Sequence, residues 1–228
     1  MTFLKKSMVE ENVKKILSEL SSGNNLGEPV TLVAATKTMS VETIMRAVNA
    51  GVTVIAENRV QEFREKSPML ANVRQDFIGH LQTNKVKYLV GKVSLIHSVD
   101  SSALAKEISL RAQKLGVTQD ILVEINIGGE LSKSGFVPDS AETAIKEISA
   151  LPALKVCGLM AMLPKSDDDE IREKLCLQMR EIYDKIRKER NDSAFRYLSM
   201  GMSADYKTAV HCGSNMVRLG TALFGQRA

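Results

Sequence analysis

With 228 residues, 44% of them hydrophobic and 25% charged, the chain has the composition of a soluble globular protein and enough length to bury a sizeable core. Its 31 basic and 27 acidic residues leave a net charge of +4 with the two signs interspersed, and aromatics make up only 4%, so neither the basic stripe nor the stacking platform of a nucleic-acid binder is present. No apolar run approaches the ~18 residues that a membrane span needs, and Lys5 and Lys6 follow the start too closely for a signal peptide, which makes the cytoplasm the expected location.

Leu4, Met8, Val13, Ile16, Leu17 and Leu20 recur at helical spacing and predict an amphipathic helix over residues 2–21, ended by Ser21-Ser22-Gly23. From residue 30 the chain repeats one alternation of a short apolar run, a turn, and a longer run at helical spacing. Residues 30–35, rich in β-branched side chains and without a 3.6 period, predict a fully buried first strand. Ser40 then caps a helix carrying Ile44, Ala47 and Val48 on one face. Further strands are predicted over 52–56, 76–80, 93–99, 121–127, 154–160, 195–199 and 216–219. Between them fall helices with Val60 and Phe63, over 84–90, with Leu104, Ile108, Ala112 and Leu115 stopped by Gly116, and after a capping box of Asp139 and Glu142. A long helix places Ile171, Leu175, Met179, Ile182 and Ile186 on one face. Asp167, Asp168, Asp169 and Glu170 stand at its start and Arg187, Lys188 and Arg190 at its end, as the helix dipole favours. Eight strands alternating with helices predict an α/β fold, a single (β/α)8 TIM-type barrel preceded by the N-terminal helix, over an open doubly wound sheet. Residues 1–228 show no linker or change of composition, so a single domain is expected.

In such a barrel the ligand site lies at the C-terminal ends of the strands, and phosphate is often held by the loops after strands seven and eight. The first strand hands over to Thr36-Lys37-Thr38, and a lysine at the rim of a core can lose hydration and attack a carbonyl. Strand seven is followed by Ser199-Met200-Gly201-Met202-Ser203-Ala204-Asp205, and strand eight by Gly220-Thr221-Ala222, where glycine admits close approach and Thr221 adds a hydroxyl. His80 falls at the end of the third strand and could line a pocket mouth, while His97 and His211 read as structural. No histidine pair has metal-ligand spacing, and Cys157, Cys176 and Cys212 lie far apart without a CxxC, so neither a zinc site nor a disulfide framework is expected. Lys85 and Lys133 lie on strand-end loops, where a lysine is usually solvated.

Seven ordered motifs span nearly the whole chain: residues 29–38 ending Thr36-Lys37-Thr38, Glu57-Asn58-Arg59-Val60-Gln61-Glu62, Ile78-Gly79-His80-Leu81-Gln82-Thr83-Asn84-Lys85, Glu130-Leu131-Ser132-Lys133-Ser134-Gly135-Phe136, Gly158-Leu159-Met160, Leu198-Ser199-Met200-Gly201-Met202-Ser203-Ala204-Asp205, and Val217-Arg218-Leu219-Gly220-Thr221 running to Gly225. With these the sequence resembles the pyridoxal-phosphate homeostasis protein family, whose barrel is similar to the N-terminal domain of alanine racemase. The resemblance implies that Lys37 carries pyridoxal 5′-phosphate (PLP) as a Schiff base. It further implies that Ser203, Gly220 and Thr221 hold the phosphate, that Arg218 faces the pyridine nitrogen and that Asn58 lies near the ring. Ala56 departs from the glycine usual in the family before Glu57-Asn58.

The function expected is therefore a PLP-binding protein of vitamin B6 homeostasis that carries or buffers the cofactor, with apo-enzymes that need PLP as partners, acting as a monomer and without efficient catalysis. An arginine at the pyridine nitrogen keeps its proton and weakens the ring as an electron sink. The alternative is a small PLP-dependent amino-acid racemase, which needs an acid/base on each face of the substrate's α-carbon. Alanine-racemase-like enzymes draw the second from a further β-domain, and the sequence runs to Ala228 without one. A Schiff-base aldolase acting on a phosphorylated sugar would leave Arg218 without a purpose.

Overall fold

The computed structural model describes residues 2–130, 133–164, 166 and 168–226. Among them eight parallel strands, β1 (Thr31–Ala35), β2 (Val54–Glu57), β3 (Arg74–Phe77), β4 (Leu95–Val99), β5 (Gln119–Ile125), β6 (Leu154–Ala161), β7 (Tyr197–Ser199) and β8 (Met216–Leu219), close into a barrel in chain order. Around them lie α1 (Thr2–Leu20), α2 (Val41–Asn49), α3 (Val60–Lys66), α4 (Ser102–Leu115), α5 (Ala141–Ser149), α6 (Asp169–Arg190), α7 (Tyr206–His211) and α8 (Thr221–Phe224). The closed barrel read from the sequence is the fold found, and the open sheet is not.

A strand's side chains alternate between faces, and here the alternation separates barrel interior from helix-covered exterior. Val33, Val54, Leu95, Leu122, Cys157, Met160 and Met216 meet inside. Leu32, Ala34, Ile55, Val217 and Leu219 point outward beneath α1, α2 and α8, and a larger outer cluster packs α3 to α7 on the remaining strands. Val9, Val13, Ile16 and Leu20 form the buried stripe of α1, which lies against α2 and α8. Burying each such side chain is worth roughly 1.5–3 kcal/mol, which is what holds a helix that belongs to no βα repeat. Ser40 accepts from the Thr43 N–H at 3.2 Å and Gly116 closes α4 at φ 65°, both as the sequence reads.

Several boundaries differ from the sequence-based expectation for identifiable reasons. Strand three begins at Arg74 and ends at Phe77, because Arg74 is satisfied inside the barrel by Asp76 while Ile78-Gly79-His80 leave as a loop. Strand five begins at Gln119, whose buried amide bonds Val93 O and the Gly91 N–H, and ends at Ile125. Phe195, expected in strand seven, is buried but stacks on Tyr183 with ring centroids 5.4 Å apart. Residues 83–88 form a 3-10 turn, not an α-helix, with i to i+3 bonds such as Lys85 N–H to Gln82 O. The capping box at Asp139 and Glu142 does not form: Pro138–Ser140 make a 3-10 turn into α5, and Glu142 pairs with Lys185 of α6. On α6 the buried face is Cys176, Met179, Tyr183 and Ile186, with Ile171 48% exposed. Asp168 is its N-cap; Asp167, like Leu131 and Ser132 of the Gly128-to-Phe136 loop, lies outside the described residues, as do the side chain of Leu4 and the terminal Ala228.

Candidate functional site

The inward parity that buries Val33, Val54 and Met216 carries past the strand ends. Above that packed layer Ala35 and Lys37, Ala56 and Asn58, Ile78 and His80, and Arg218 and Gly220 therefore line one space at the C-terminal mouth of the barrel. That space is a cavity of about 440 Å³, within the roughly 300–1,000 Å³ of small-molecule sites. Lys37, Asn58, Ser203, Arg218, Gly220 and Thr221, each singled out from the sequence, all line it. Its apolar wall comes from Ala35, Ala56, Ile78, Met162 and Met202.

Ser203 Oγ accepts from the N–H groups of Gly220 at 3.2 Å and Ala222 at 3.1 Å, which ties the loop after β7 to the start of α8. With both lone pairs engaged, the hydroxyl proton of Ser203 remains to donate to a ligand. Asn58 lines the cavity with its side-chain oxygen buried and unpartnered. Its backbone is covered by Gly79, where a Cβ would lie 2.0 Å from Asn58 O, so only glycine fits the crossing.

Arg218 is 5% exposed and bound on the side away from the cavity. One terminal nitrogen donates to Ser199 O at 2.9 Å and Ser199 Oγ at 2.7 Å, the other to Ala161 O at 2.9 Å. Burial pushes its guanidinium down to about 10, against the pull of Glu124 and Asp205, which leaves it charged at neutral pH. Behind it a polar network crosses the barrel interior. His97 meets Ser199 Oγ at 3.4 Å and Asp76 at 3.1 Å, and Arg74 grips Asp76 with two bonds of 3.0 Å. Burial pushes the His97 imidazole below its ordinary value, the Asp76 bond opposing.

His80 stands at the rim, paired with Asp100 at 3.0 Å, its side chain 64% exposed. A smaller adjoining cavity of about 160 Å³ shares His80, Ile78 and Met162 and adds Ser98, Glu124, Asn126 and Lys133. Lys133 pairs there with Glu130 at 2.5 Å, and Lys85 is solvent-exposed on its 3-10 turn. His211 is exposed on α7. The sequence did not single out Glu124, whose carboxyl is pushed up to about 7 by burial and the nearby Asp100, against Arg218 and His80. Nor did it assign chemistry to Asp76, Lys66 or Glu62, since nothing local marks a carboxylate that faces a barrel interior or an ammonium that reaches a neighbouring loop. Among the described residues no group of three or more His, Cys, Asp or Glu side chains could hold a metal, and no helix is long and apolar enough to cross a membrane.

A barrel of this topology with a lysine past strand one and an arginine in strand eight defines a class, the alanine-racemase-type barrel. The family described as "Alanine racemase, N-terminal domain" matches residues 7–228. The alanine racemase of Clostridium difficile 630, in complex with cycloserine, superposes with a TM-score of 0.79 over 98% of this chain and 60% of that one at 18% identity, a likeness of fold. A pyridoxal phosphate homeostasis protein of Aquifex aeolicus (strain VF5) is 42% identical over 223 residues, 97% of this chain and 96% of its own. PipY of Synechococcus elongatus PCC7942, solved with PLP bound, matches with a TM-score of 0.81 and 30% identity over 93% of this chain and 100% of that one. The chain belongs to the pyridoxal phosphate homeostasis protein family.

Proposed function

We propose that this chain binds pyridoxal 5′-phosphate and serves vitamin B6 homeostasis in the cytoplasm, carrying or buffering the cofactor as a monomeric barrel of one domain and passing it to apo-enzymes. The carrying observation is that all six expected binding residues line one cavity, whose donor set suits a phosphorylated aromatic aldehyde. Lys37 offers the amine that would hold the aldehyde. The Ser203 hydroxyl with the Gly220 and Thr221 segment would hold the phosphate, Arg218 would face the ring nitrogen and Asn58 the ring edge, and Ala35, Ala56 and Ile78 supply apolar surface for a flat ring. When bound, the cofactor supplies an electrophilic aldehyde and an electron-accepting ring.

The chain's own groups favour holding over turnover. Arg218 is a donor that keeps its charge, so no proton is placed on the ring from that side. Of the described cavity-lining residues only Lys37, His80 and Arg218 carry acid–base side chains, and Tyr206, the tyrosine after strand seven, points its hydroxyl to Glu19 of α1 at 2.5 Å instead. These features support the carrier over the racemase reading.

The test is the visible absorption of the purified protein, followed by borohydride reduction and peptide mass mapping. The expected result is colour and a cofactor mass on Lys37; a mass on another lysine, or none, refutes the site. Exchange of the α-hydrogen of alanine and serine in deuterated buffer then tests catalysis. Turnover well above that of free PLP, abolished by Lys37→Ala, would establish the racemase reading.

A further inference from the structure

The turn that carries Lys37 is held from behind. Thr38 lies at φ 65°, a left-handed conformation that a β-branched residue rarely adopts, and no glycine substitutes for it here. Its N–H donates to Glu62 Oε2 at 2.7 Å. On the other side of Lys37, Thr36 donates its hydroxyl to Glu57 Oε1 at 2.7 Å and offers its carbonyl to Lys66 Nζ at 3.1 Å. Lys66 spends its remaining donors on Glu57 Oε1 at 2.9 Å and Glu62 Oε2 at 2.7 Å. One ammonium and two carboxylates, from the end of β2 and from α3, thus grip the main chain on both sides of the lysine.

The cluster is well enclosed, with side-chain exposures of 13% for Lys66, 6% for Glu57 and 16% for Glu62. Parity explains its side: Thr36 and Glu57 point out of the barrel where Lys37 and Asn58 point in. Burial raises the Glu57 carboxyl even against the bonds from Lys66 and Thr36. For Glu62, the bonds from Lys66 and the Thr38 N–H outweigh burial and hold it below its ordinary value. A cluster that served only to pin α3 to the sheet would have no need to bond the main-chain groups flanking one lysine, nor to hold a threonine in a left-handed turn.

We infer that Glu62 and Lys66 are positioning residues, which lock the turn from Thr36 to Thr38 so that the Lys37 amine faces the cavity. The inference rests on the proposed role of Lys37. Capture joins the Lys37 nitrogen to the aldehyde carbon and releases the carbonyl oxygen as water with both amine protons. The cluster acts on the reach of that amine, and the phosphate loops lie elsewhere. Displacing a reacting group by about 1 Å can cost about 100-fold, so loss of the lock slows capture without weakening the phosphate contacts.

The experiment compares wild type, Glu62→Ala, Glu62→Gln, Thr38→Gly and the double variant Glu62→Ala/Thr38→Gly. The readouts are the rate of PLP capture by stopped-flow absorbance, affinity for pyridoxine 5′-phosphate, which lacks the aldehyde, and the labelling rate of Lys37 by acetic anhydride in cofactor-free protein. Glu62→Ala is expected to slow capture by about 10- to 100-fold and change Lys37 labelling, with pyridoxine 5′-phosphate affinity within about twofold. Thr38→Gly should behave as wild type and restore capture in the double variant, because glycine adopts the left-handed turn without Glu62. Glu62→Gln keeps an acceptor for the Thr38 N–H and should retain most of the rate; it carries the test if the alanine variant does not fold. Equal loss of capture and analogue affinity in the variants, or no rescue by glycine, overturns the inference. A borohydride-fixed cofactor mass on a lysine other than Lys37 in the wild type overturns the site reading itself. That mass on Lys37 with unchanged capture in Glu62→Ala overturns the positioning role alone.

Discussion

Glu124 makes the stability of the cofactor-free barrel depend on pH in a direction opposite to that of most carboxylates. Its side chain enters the barrel from β5 with 8% exposure, facing Asp100, His80 and Arg218. Burial, then the Asp100 charge, raises its carboxyl from an ordinary 4.5 to about 7. At roughly 1.4 kcal/mol per pH unit this displacement corresponds to about 3 kcal/mol. Because the folded protein holds the proton where the unfolded chain has released it, the contribution to stability is complete below pH ~4.5, declines as pH rises, and is gone above about 7. Glu124→Gln removes the ionisation. Urea unfolding of both proteins at pH 5, 6, 7 and 8 should show the variant gaining on the wild type by up to about 3 kcal/mol across the series, a large share of the 5–15 kcal/mol that holds a typical protein folded. The slope is the readout, since any difference in packing between the amide and the neutral acid shifts the variant by a pH-independent amount, while the attraction to Arg218 is already contained in the raised value. Stability curves that run parallel from pH 5 to 8 would show that Glu124 is ionised throughout and refute the reasoning.

Three further outcomes follow from the site. Asp76→Asn removes a fully buried carboxylate from between buried His97 and partly exposed Arg74 and should cost about 3–5 kcal/mol in urea unfolding, whereas a cost under about 1 kcal/mol would mean the interior network is not held by charge. Gly79→Ala places a methyl 2.0 Å from Asn58 O, so the β2 exit must move; calorimetric titration should show loss of pyridoxine 5′-phosphate binding together with a lowered Tm, and unchanged binding would remove Asn58 from the site. Ser203→Ala combined with Thr221→Val should weaken PLP retention more than Lys37→Ala does, because several charge-assisted bonds to a phosphate exceed one reversible covalent link; dialysis followed by absorbance checks the order.

The eighth strand, Met216–Leu219, was legible residue for residue because it is a short apolar run bounded by polar turns and interrupted only by Arg218. Lys37 drew notice through its place at a strand end and Arg218 through the family resemblance, and the barrel geometry puts both on the wall of one cavity. Strands three and five were misplaced by two residues at their starts because Arg74 and Gln119 are polar, and only partners distant in sequence make a polar residue suitable for a strand interior. The buried face of α6 was read in part: Met179 and Ile186 are buried as expected, whereas Cys176 and Tyr183 were not placed on it and Ile171 is exposed. Tyr183 is buried by stacking on Phe195, a contact that helical periodicity does not contain. Glu57 and Glu62 stood in a motif, yet their action on Thr36 and Thr38 depends on β2 lying beside β1 in register, Ala35 opposite Ala56.

The direction of the interior hydrogen bonds bears on what Arg218 can do. Its guanidinium has donors only, so Ser199 Oγ must accept from it and turn its own proton to His97 Nδ1. His97 then carries its proton on Nε2 and donates to Asp76, whose oxygens also receive the two bonds from Arg74. Every donor in the row points away from the cavity toward the Asp76 carboxylate, and a proton could reach the cavity through it only if each member reversed. Burial favours this arrangement by disfavouring a charged His97 between two arginines, which is why its imidazole lies below its ordinary value. A site backed in this way presents a fixed positive donor to whatever ring lies against Arg218 and offers that ring no exchangeable proton. Holding a cofactor needs nothing more from this side, whereas cycling protons at a substrate carbon would draw on a relay that here runs the wrong way.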